Sequence, residues 1–267
     1  MLSEPGAALG ARYGVLGWPV AHSRSPAMMH AAGLQRYQRL PVPPPLFAET
    51  VRALGAAGFA GANVTIPHKE AALALASSAS DAAGDIGAAN TLSFGAGGAI
   101  HAENTDAPGL LAALGSAPAS ALVLGAGGSA RAVVWALACA GCDVSIWNRT
   151  PGRAEGLGAR VVERPVAAEA LINCTSVGLG RSSTPFKDLP LDADALNEYA
   201  TVVDLVYREG GTSLIAEARQ RGCRTVDGLE ILVRQGALSY NLWTGLPAPL
   251  DTMRAAARGR HPEPDAS

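Results

Sequence analysis

Short apolar runs alternate with amphipathic stretches along most of this chain. Tyr13-Gly-Val-Leu-Gly17 predicts a short buried strand, followed by the polar loop Trp18-Pro-Val-Ala-His22-Ser-Arg-Ser25. Pro26 suits the first turn of a helix. Ala60-Gly-Ala-Asn-Val-Thr-Ile66 predicts a second strand that Pro67 ends, with a helix running from there to about Ser78. Residues 90–94 and 99–101 flank Gly95-Ala-Gly-Gly98, the pattern of a hairpin. Pro108 sits in the first turn of the next helix and marks a hinge. From Ala121 a regular rhythm begins, with strands at 121–124, 144–147, 171–174, 201–205 and, shorter, 224–226. Strands that alternate with helices in this way imply a parallel sheet covered on both faces. The last helix, over residues 231 to about 243, is expected to return to the first half, leaving a polar, frayed tail at 258–267.

The chain has 267 residues, which fits two modest domains better than one. With 48% hydrophobic and 16% charged residues it lies well outside the disordered range and can bury a sizeable core. A net charge of −2 and scattered basic residues argue against a nucleic-acid partner. The opening Met-Leu-Ser-Glu-Pro-Gly lacks the basic start and apolar run of a secretory signal. The most apolar window, 119–140, is broken by glycines and Arg131, so no membrane span is expected and a cytoplasmic protein is. Cys139 and Cys142 form a CxxC, but they close a helix, where the dipole opposes a thiolate. No second pair of Cys or His offers the remaining ligands of a zinc site. No metal is expected.

The strongest local signal is Gly125-Ala126-Gly127-Gly128-Ser129-Ala130, which runs out of a strand and into a helix. Glycines in that context let backbone N–H groups at the helix start face a pyrophosphate. Ala130 takes the place of the third glycine, a tolerated variant. At the end of the next strand, NAD sites place an acidic residue about 20 residues further on, to bond the ribose 2′-OH. Here stands Asn148-Arg149-Thr150, with no carboxylate to repel a 2′-phosphate and a guanidinium able to bond one. That favours NADP, with Arg153 as a second phosphate partner.

Three segments of the first half carry polar groups that a plain core would not contain. His22-Ser23-Arg24-Ser25-Pro26 puts two hydroxyls on a loop leading into a helix, where they can bind a carboxylate. Asn63-Val-Thr65-Ile-Pro67-His68-Lys69 alternates so that Asn63 and Thr65 share a strand face, and its proline stops the strand just before a lysine. Asn90-Thr91 and Asn104-Thr105-Asp106 form the third.

Taken in order, these segments resemble the successive signatures of the shikimate/quinate dehydrogenase family, shikimate dehydrogenase in particular. Gly87-Ala-Ala-Asn-Thr91, Asn148-Arg-Thr150, Asn173-Cys-Thr-Ser-Val-Gly178, Asp204-Leu-Val-Tyr207, Asp227-Gly228, Gln235 and Trp243-Thr-Gly245 extend the resemblance, which covers residues 13–245. It implies an α/β fold of two domains. Residues 1–106 would form an open α/β substrate-binding and catalytic domain, and 107–236 a Rossmann-like NADP-binding domain. Residues 237–267 would return as a C-terminal helix, with the tail, to the first. The resemblance further implies that Lys69 and Asp106 are the catalytic pair and that Ser23, Ser25, Thr65, Asn90, Tyr207 and Gln235 hold the substrate. NADP would be held by Gly125, Ala126, Gly127, Gly128, Ser129, Asn148, Arg149, Thr150, Arg153, Leu205 and Gly228, with Asp81 on the cofactor side. The implied reaction is the reversible reduction of 3-dehydroshikimate to shikimate, in aromatic amino acid biosynthesis. An ammonium beside the ketone oxygen suits that chemistry, because hydride addition leaves alkoxide charge there. Whether Lys69 alone or the pair supplies the proton stays open, as does a homodimer.

Trp18, His68 and Glu230 depart from the family's usual residues, and the stretch from Arg153 to Leu171 is short enough to have lost a helix or strand. Two other readings remain. A quinate/shikimate dehydrogenase using NAD would relieve crowding near Ser25 and Thr65, both of which are retained here. A non-catalytic ligand-sensing relative would lack Lys69 and Asp106.

Overall fold

The computed structural model describes residues 5–179, 185–208 and 210–259. The first half contains strands β1 (Arg12–Gly17), β2 (Tyr37–Pro41), β3 (Phe59–Val64), β4 (Ser78–Ala79), β5 (Thr91–Phe94) and β6 (Ile100–Glu103). Helices α1 (Pro5–Gly10), α2 (Ser25–Ala31), α3 (Phe47–Ala56), α4 (Lys69–Leu75) and α5 (Asp81–Ile86) connect or flank them. Helix α6 (Asp106–Leu114) leads into the second half. There lie β7 (Ser120–Leu124), α7 (Gly128–Cys139), β8 (Asp143–Trp147), β9 (Arg160–Val161), β10 (Ala170–Asn173), β11 (Thr201–Asp204), α8 (Ser213–Gln220) and β12 (Arg224–Val226). Two helices, α9 (Gly228–Thr244) and α10 (Leu250–Arg258), complete the described chain.

The strands form two six-stranded sheets. In the first, the order is β2-β1-β3-β5-β6-β4, with β1 parallel to both neighbours and β5 antiparallel to β3 and β6. The second has the order β12-β11-β10-β7-β8-β9 and is parallel throughout. Numbered from β7, this is the 3-2-1-4-5-6 arrangement of dinucleotide-binding sheets, whose strand order reverses between its first and fourth members. Here those are β7 and β10.

Burial explains which strands were easiest to anticipate. Every residue of β10 and β11 is buried, as are Ala121, Leu122, Val123 and Leu124 of β7, because helices cover both faces. On one face Val133, Val134 and Leu137 of α7 pack with Val123, Ile146 and Ile172. Across the sheet, Leu122, Leu124 and Leu171 meet Leu196, Tyr199 and Leu214. The first sheet is likewise sandwiched, with α9 and α10 over Tyr13, Val15 and Tyr37, and α3 over Leu16, Ala62 and Leu92. Between the halves, Ile86, Ala88, Ala107, Ala132 and Ala136 form a seam of mostly small side chains that brings α5, α6 and α7 close together.

Several elements differ from the sequence expectation. The helix after Pro67 stops at Leu75, and Ser78 and Ala79 instead pair with His101 and Ala102. The final long helix begins at Gly228, where the Asp227 side chain accepts from the Glu230 N–H, and it runs unbroken to a glycine cap at Gly245 (φ 68°). The division at 236/237 therefore falls inside one continuous helix. Between β8 and β9 only a 3-10 turn at Pro151–Arg153 is present, so the short stretch has lost its crossover helix. The tail expected at 258–267 lies outside the described residues from 260 onward. Among the described residues no helix is long and apolar enough to cross a membrane.

Candidate active site

The carboxyl ends of β7 and β10 face the loops of the first sheet across a cleft of about 340 Å³. Its lining includes Ser23, Ser25, Thr65, Lys69, Asn90, Asp106, Tyr207 and Gln235, together with Ser129, Leu205 and Gly228. Thus all eight catalytic and substrate candidates, drawn from positions 23 to 235, meet in one place. Three of the cofactor candidates join them.

Lys69 opens α4 and Asp106 opens α6, so the two helix starts deliver their side chains to the same point. The Lys69 Nζ donates to Asp106 Oδ2 at 2.6 Å and to Ser129 Oγ at 2.8 Å. Lys69 is 8% exposed, so these partners replace the water an exposed lysine would bond. The other Asp106 oxygen accepts from the Asn90 amide at 2.8 Å. Asn90 also donates toward Thr105 Oγ1 (2.9 Å) and Gln235 Oε1 (3.2 Å), and its Oδ1 accepts from the Thr105 N–H at 2.7 Å. Below this layer Asn63 binds the Tyr37 hydroxyl and Ser239 Oγ, both at 2.8 Å, anchoring the floor to α9.

The serine loop is fixed from two sides. Ser23 and Ser25 are each 4% exposed. Arg39 on β2 donates to the Ser23 carbonyl through Nε (3.1 Å) and Nη2 (2.7 Å). The Tyr207 phenol lies near the Ser23 side chain and the Tyr37 phenol near that of Ser25. Burial pushes the Tyr207 phenol up, against the opposing effect of the neighbouring Arg24 backbone and Ser23 side chain and of the Arg24 and Arg39 charges. His22, whose ring lies 6.4 Å from that of Tyr207, is held below the usual imidazole range by burial and then by the charge of Arg39. With Arg24 and Arg39 nearby, this end of the cleft suits an anion.

Opposite lies the glycine loop. Gly125 adopts φ +101°, a conformation that side chains rarely take, and a Cβ there would sit 3.1 Å from the Cys174 carbonyl carbon. Helix α7 has Gly127 as N-cap with no side-chain cap bond, and the space where a Gly127 side chain would go is empty within 4 Å. Backbone N–H groups at a helix start with open space before them form a site for an anion such as a pyrophosphate. Asn148, Arg149, Thr150 and Arg153 follow β8 at the same edge of the sheet, outside the cleft; Arg149, Thr150 and Arg153 are exposed. The Asn148 amide donates to the Thr150 carbonyl at 2.8 Å and shapes this turn. These residues fit a dinucleotide carrying a 2′-phosphate. Asp81 does not join the group: it is exposed, at the first turn of α5, and does not line the cleft.

Cys174, Thr175, Ser176 and Leu179 also line the cleft, and sequence reasoning gave them no role. Their signal was topological, because the loop after β10 stands at the reversal of strand order. Burial pushes the Cys174 thiol up. Behind this loop Asp204 is 1% exposed and accepts from Asn173 Nδ2 (2.9 Å), the Val206 N–H (3.1 Å) and Thr212 Oγ1 (2.7 Å). Burial pushes its carboxyl up to about 6 in spite of those three donors. Cys139 is exposed at the end of α7 and Cys142 is buried; burial, then Asp143 and Glu169, push the Cys142 thiol up to about 11. Cys142 therefore has none of the electrostatics of a reactive thiol.

Comparison with known proteins gives this arrangement a lineage. Residues 15–92 match the model of the shikimate dehydrogenase substrate binding domain, and 228–258 that of the shikimate 5′-dehydrogenase C-terminal domain. A shikimate dehydrogenase (NADP(+)) of Thermus thermophilus is 46% identical, over 92% of this chain and 97% of its own. One from Paracoccus denitrificans is 45% identical, over 89% and 92%. Among solved structures, the shikimate 5-dehydrogenase of a second Thermus thermophilus strain, in complex with NADP(H) and shikimate, superposes with a TM-score of 0.82 at 43% identity, covering 93% of this chain and 98% of that one. Two helix starts bearing Lys69 and Asp106, a cleft lined by the Ser23, Ser25 and Thr65 hydroxyls and a dinucleotide-type sheet thus occur together in a chain that belongs to the shikimate dehydrogenase family.

Proposed function

We propose that this protein reduces 3-dehydroshikimate reversibly to shikimate with NADP as its cofactor. The observation that carries the reading is the 2.6 Å contact between Lys69 and Asp106, placed in the cleft between the serine loop and the glycine loop. In this reading the first sheet carries the substrate, the second carries NADP, and α9 and α10 belong structurally to the first.

The substrate's carboxylate is held by the Ser23 and Ser25 hydroxyls at the end of the cleft flanked by Arg24 and Arg39. Thr65, Asn90, Tyr207 and Gln235 fix the ring. NADPH, when bound along the α7 N-terminus, supplies the hydride. The turn at Asn148, Arg149 and Thr150, with Arg153, receives the 2′-phosphate, and Leu205 and Gly228 face the nicotinamide end. Asp81, exposed at the start of α5 and not among the cleft-lining residues, is assigned only to the cofactor side. As the ketone becomes an alkoxide, the Lys69 ammonium stabilises the growing negative charge, and the Lys69–Asp106 pair provides the proton. Asp106 holds the ammonium in place and accepts from the hydroxyl next to the reacting carbon. Val64, Ile66, Val206 and Ile231 wall the cleft with apolar surface, which strengthens these interactions by excluding water.

Steady-state assays with 3-dehydroshikimate and 3-dehydroquinate, each with NADPH and NADH, test the reading. The pair 3-dehydroshikimate and NADPH is expected to give the highest kcat/KM. Equal or faster turnover of 3-dehydroquinate with NADH would overturn it.

A further inference from the structure

The chain carries only two lysines, Lys69 and Lys187, among 21 basic residues. An ammonium offers three N–H donors on a freely rotating head, where a guanidinium offers a rigid fork. A lysine is therefore useful in a cleft only when something stops that rotation. Asp106 anchors one N–H. With a single anchor the stem can still pivot about that hydrogen bond and carry the other two N–H groups with it. The second anchor is Ser129, at 2.8 Å and 60 residues away in sequence, on the first turn of α7 in the other half of the molecule.

We infer that Ser129 is a positioning residue for Lys69, its hydroxyl fixing the ammonium so that the third N–H points at the ketone oxygen. Two anchors on a tetrahedral nitrogen determine where the remaining proton lies. The stem is held as well as the head. A Cβ on Gly128 would sit 3.1 Å from Lys69 Cβ and 3.4 Å from its Cδ, so the lysine chain lies directly against the glycine loop. The loop that would cradle the cofactor thus also aims the proton donor. A hydroxyl that accepts from an ammonium keeps its own proton to donate. Ser129 can therefore serve Lys69 and a bound phosphate at once, which goes beyond the cofactor contact that the family resemblance implies.

The inference rests on Lys69 acting in the ketone reduction, and two measurements on the intact protein separate the claims. The first needs no turnover: reductive methylation with formaldehyde and cyanoborohydride, quantified by mass spectrometry at Lys69 relative to the exposed Lys187. Ser129→Ala should raise that ratio about fivefold, and Ser129→Thr, which keeps the hydroxyl, should restore it toward wild type. In the second, Ser129→Ala should lower kcat for 3-dehydroshikimate at saturating NADPH about tenfold, in line with the cost of a misplaced catalytic group, and Ser129→Thr should restore it, whatever the change in the NADPH Kd read from its fluorescence. An unchanged methylation ratio would overturn the inference. So would a weakened NADPH Kd with unchanged kcat, the result expected of a cofactor ligand only. A wild type that does not reduce 3-dehydroshikimate would refute the proposed function, while the methylation ratio would still decide whether Ser129 holds Lys69.

Discussion

Asn90 donates to Asp106 Oδ1 at 2.8 Å, on the side of the carboxylate away from the Lys69 ammonium on Oδ2. The Asp106 carboxylate is consequently gripped at both oxygens and cannot rotate without breaking a charge-assisted bond. The Asn90 amide has two protons and three acceptors within 3.2 Å, so a substrate oxygen that bonds it takes the place of one of them, the longer contact to Gln235 first. Asn90→Ala should lower kcat/KM at least tenfold and also reduce stability by about 1–3 kcal/mol, because it strands the buried Thr105 N–H. Kinetics and urea denaturation on the same preparation check both; a loss of stability alone would make Asn90 purely structural.

Removing a member of the Lys69–Asp106 pair gives a different signature. Lys69→Ala should reduce kcat by about 10²–10⁴, the range for a general acid, with shikimate still binding as measured by calorimetry. Asp106→Ala should also reduce kcat, since Asp106 anchors the lysine. The double variant should be little worse than the more damaging single one, because groups acting as a unit are not additive. Losses that simply multiply would show that the two act separately.

Arg149 is exposed and stands on a turn free of carboxylates, so its contribution should be confined to the cofactor. Arg149→Ala is expected to weaken NADP binding about 10- to 100-fold, the value of a charge-assisted bond, while leaving NAD unaffected. Comparing kcat/KM for the two cofactors checks this. An equal loss with both would assign Arg149 to some part of the dinucleotide other than the 2′-phosphate.

Asp204 predicts a pH dependence of stability. Its carboxyl titrates near 6 in the folded chain, against about 4 for an ordinary aspartate. As pH climbs from 4, the unfolded chain gives up this proton first, so the native state is progressively disfavoured until the folded group also ionises near pH 6. Asp204→Asn removes that linkage. The stability of wild type relative to Asp204→Asn should therefore fall by about 2 kcal/mol between pH 4 and pH 7. Urea titrations of both proteins that run parallel across this range would contradict the assignment.

What the sequence revealed and what it hid follow from the range of the interactions. Strands β7, β10 and β11 were readable because burial on both faces makes them continuous apolar runs. Strand β2 was missed because only Tyr37 of its five residues is buried, leaving no alternation to detect at the sheet edge. Helix α3 did leave a sign, with Phe47, Val51 and Leu54 spaced to share one face. The polar residues of the cleft were legible one motif at a time. Their partnerships were not: Lys69 with Ser129, Asn90 with Gln235 and Asn173 with Asp204 join segments that no local pattern connects.

Helix α9 leaves the edge of the second sheet beside Asp227 and ends in the core of the first, where Trp243 stacks on Tyr13 with ring centroids 4.9 Å apart. Met253 and Ala257 of α10 close the same core around Met28 and Leu34. The order of synthesis therefore opposes the order of assembly. A ribosome delivers the first sheet early, but the side chains that finish its interior arrive last, after the whole second unit has emerged. During translation the second sheet can complete itself, whereas the first must wait with Tyr13, Met28 and Tyr37 uncovered. The nascent chain is most prone to association at that stage, before residue 228 has left the tunnel.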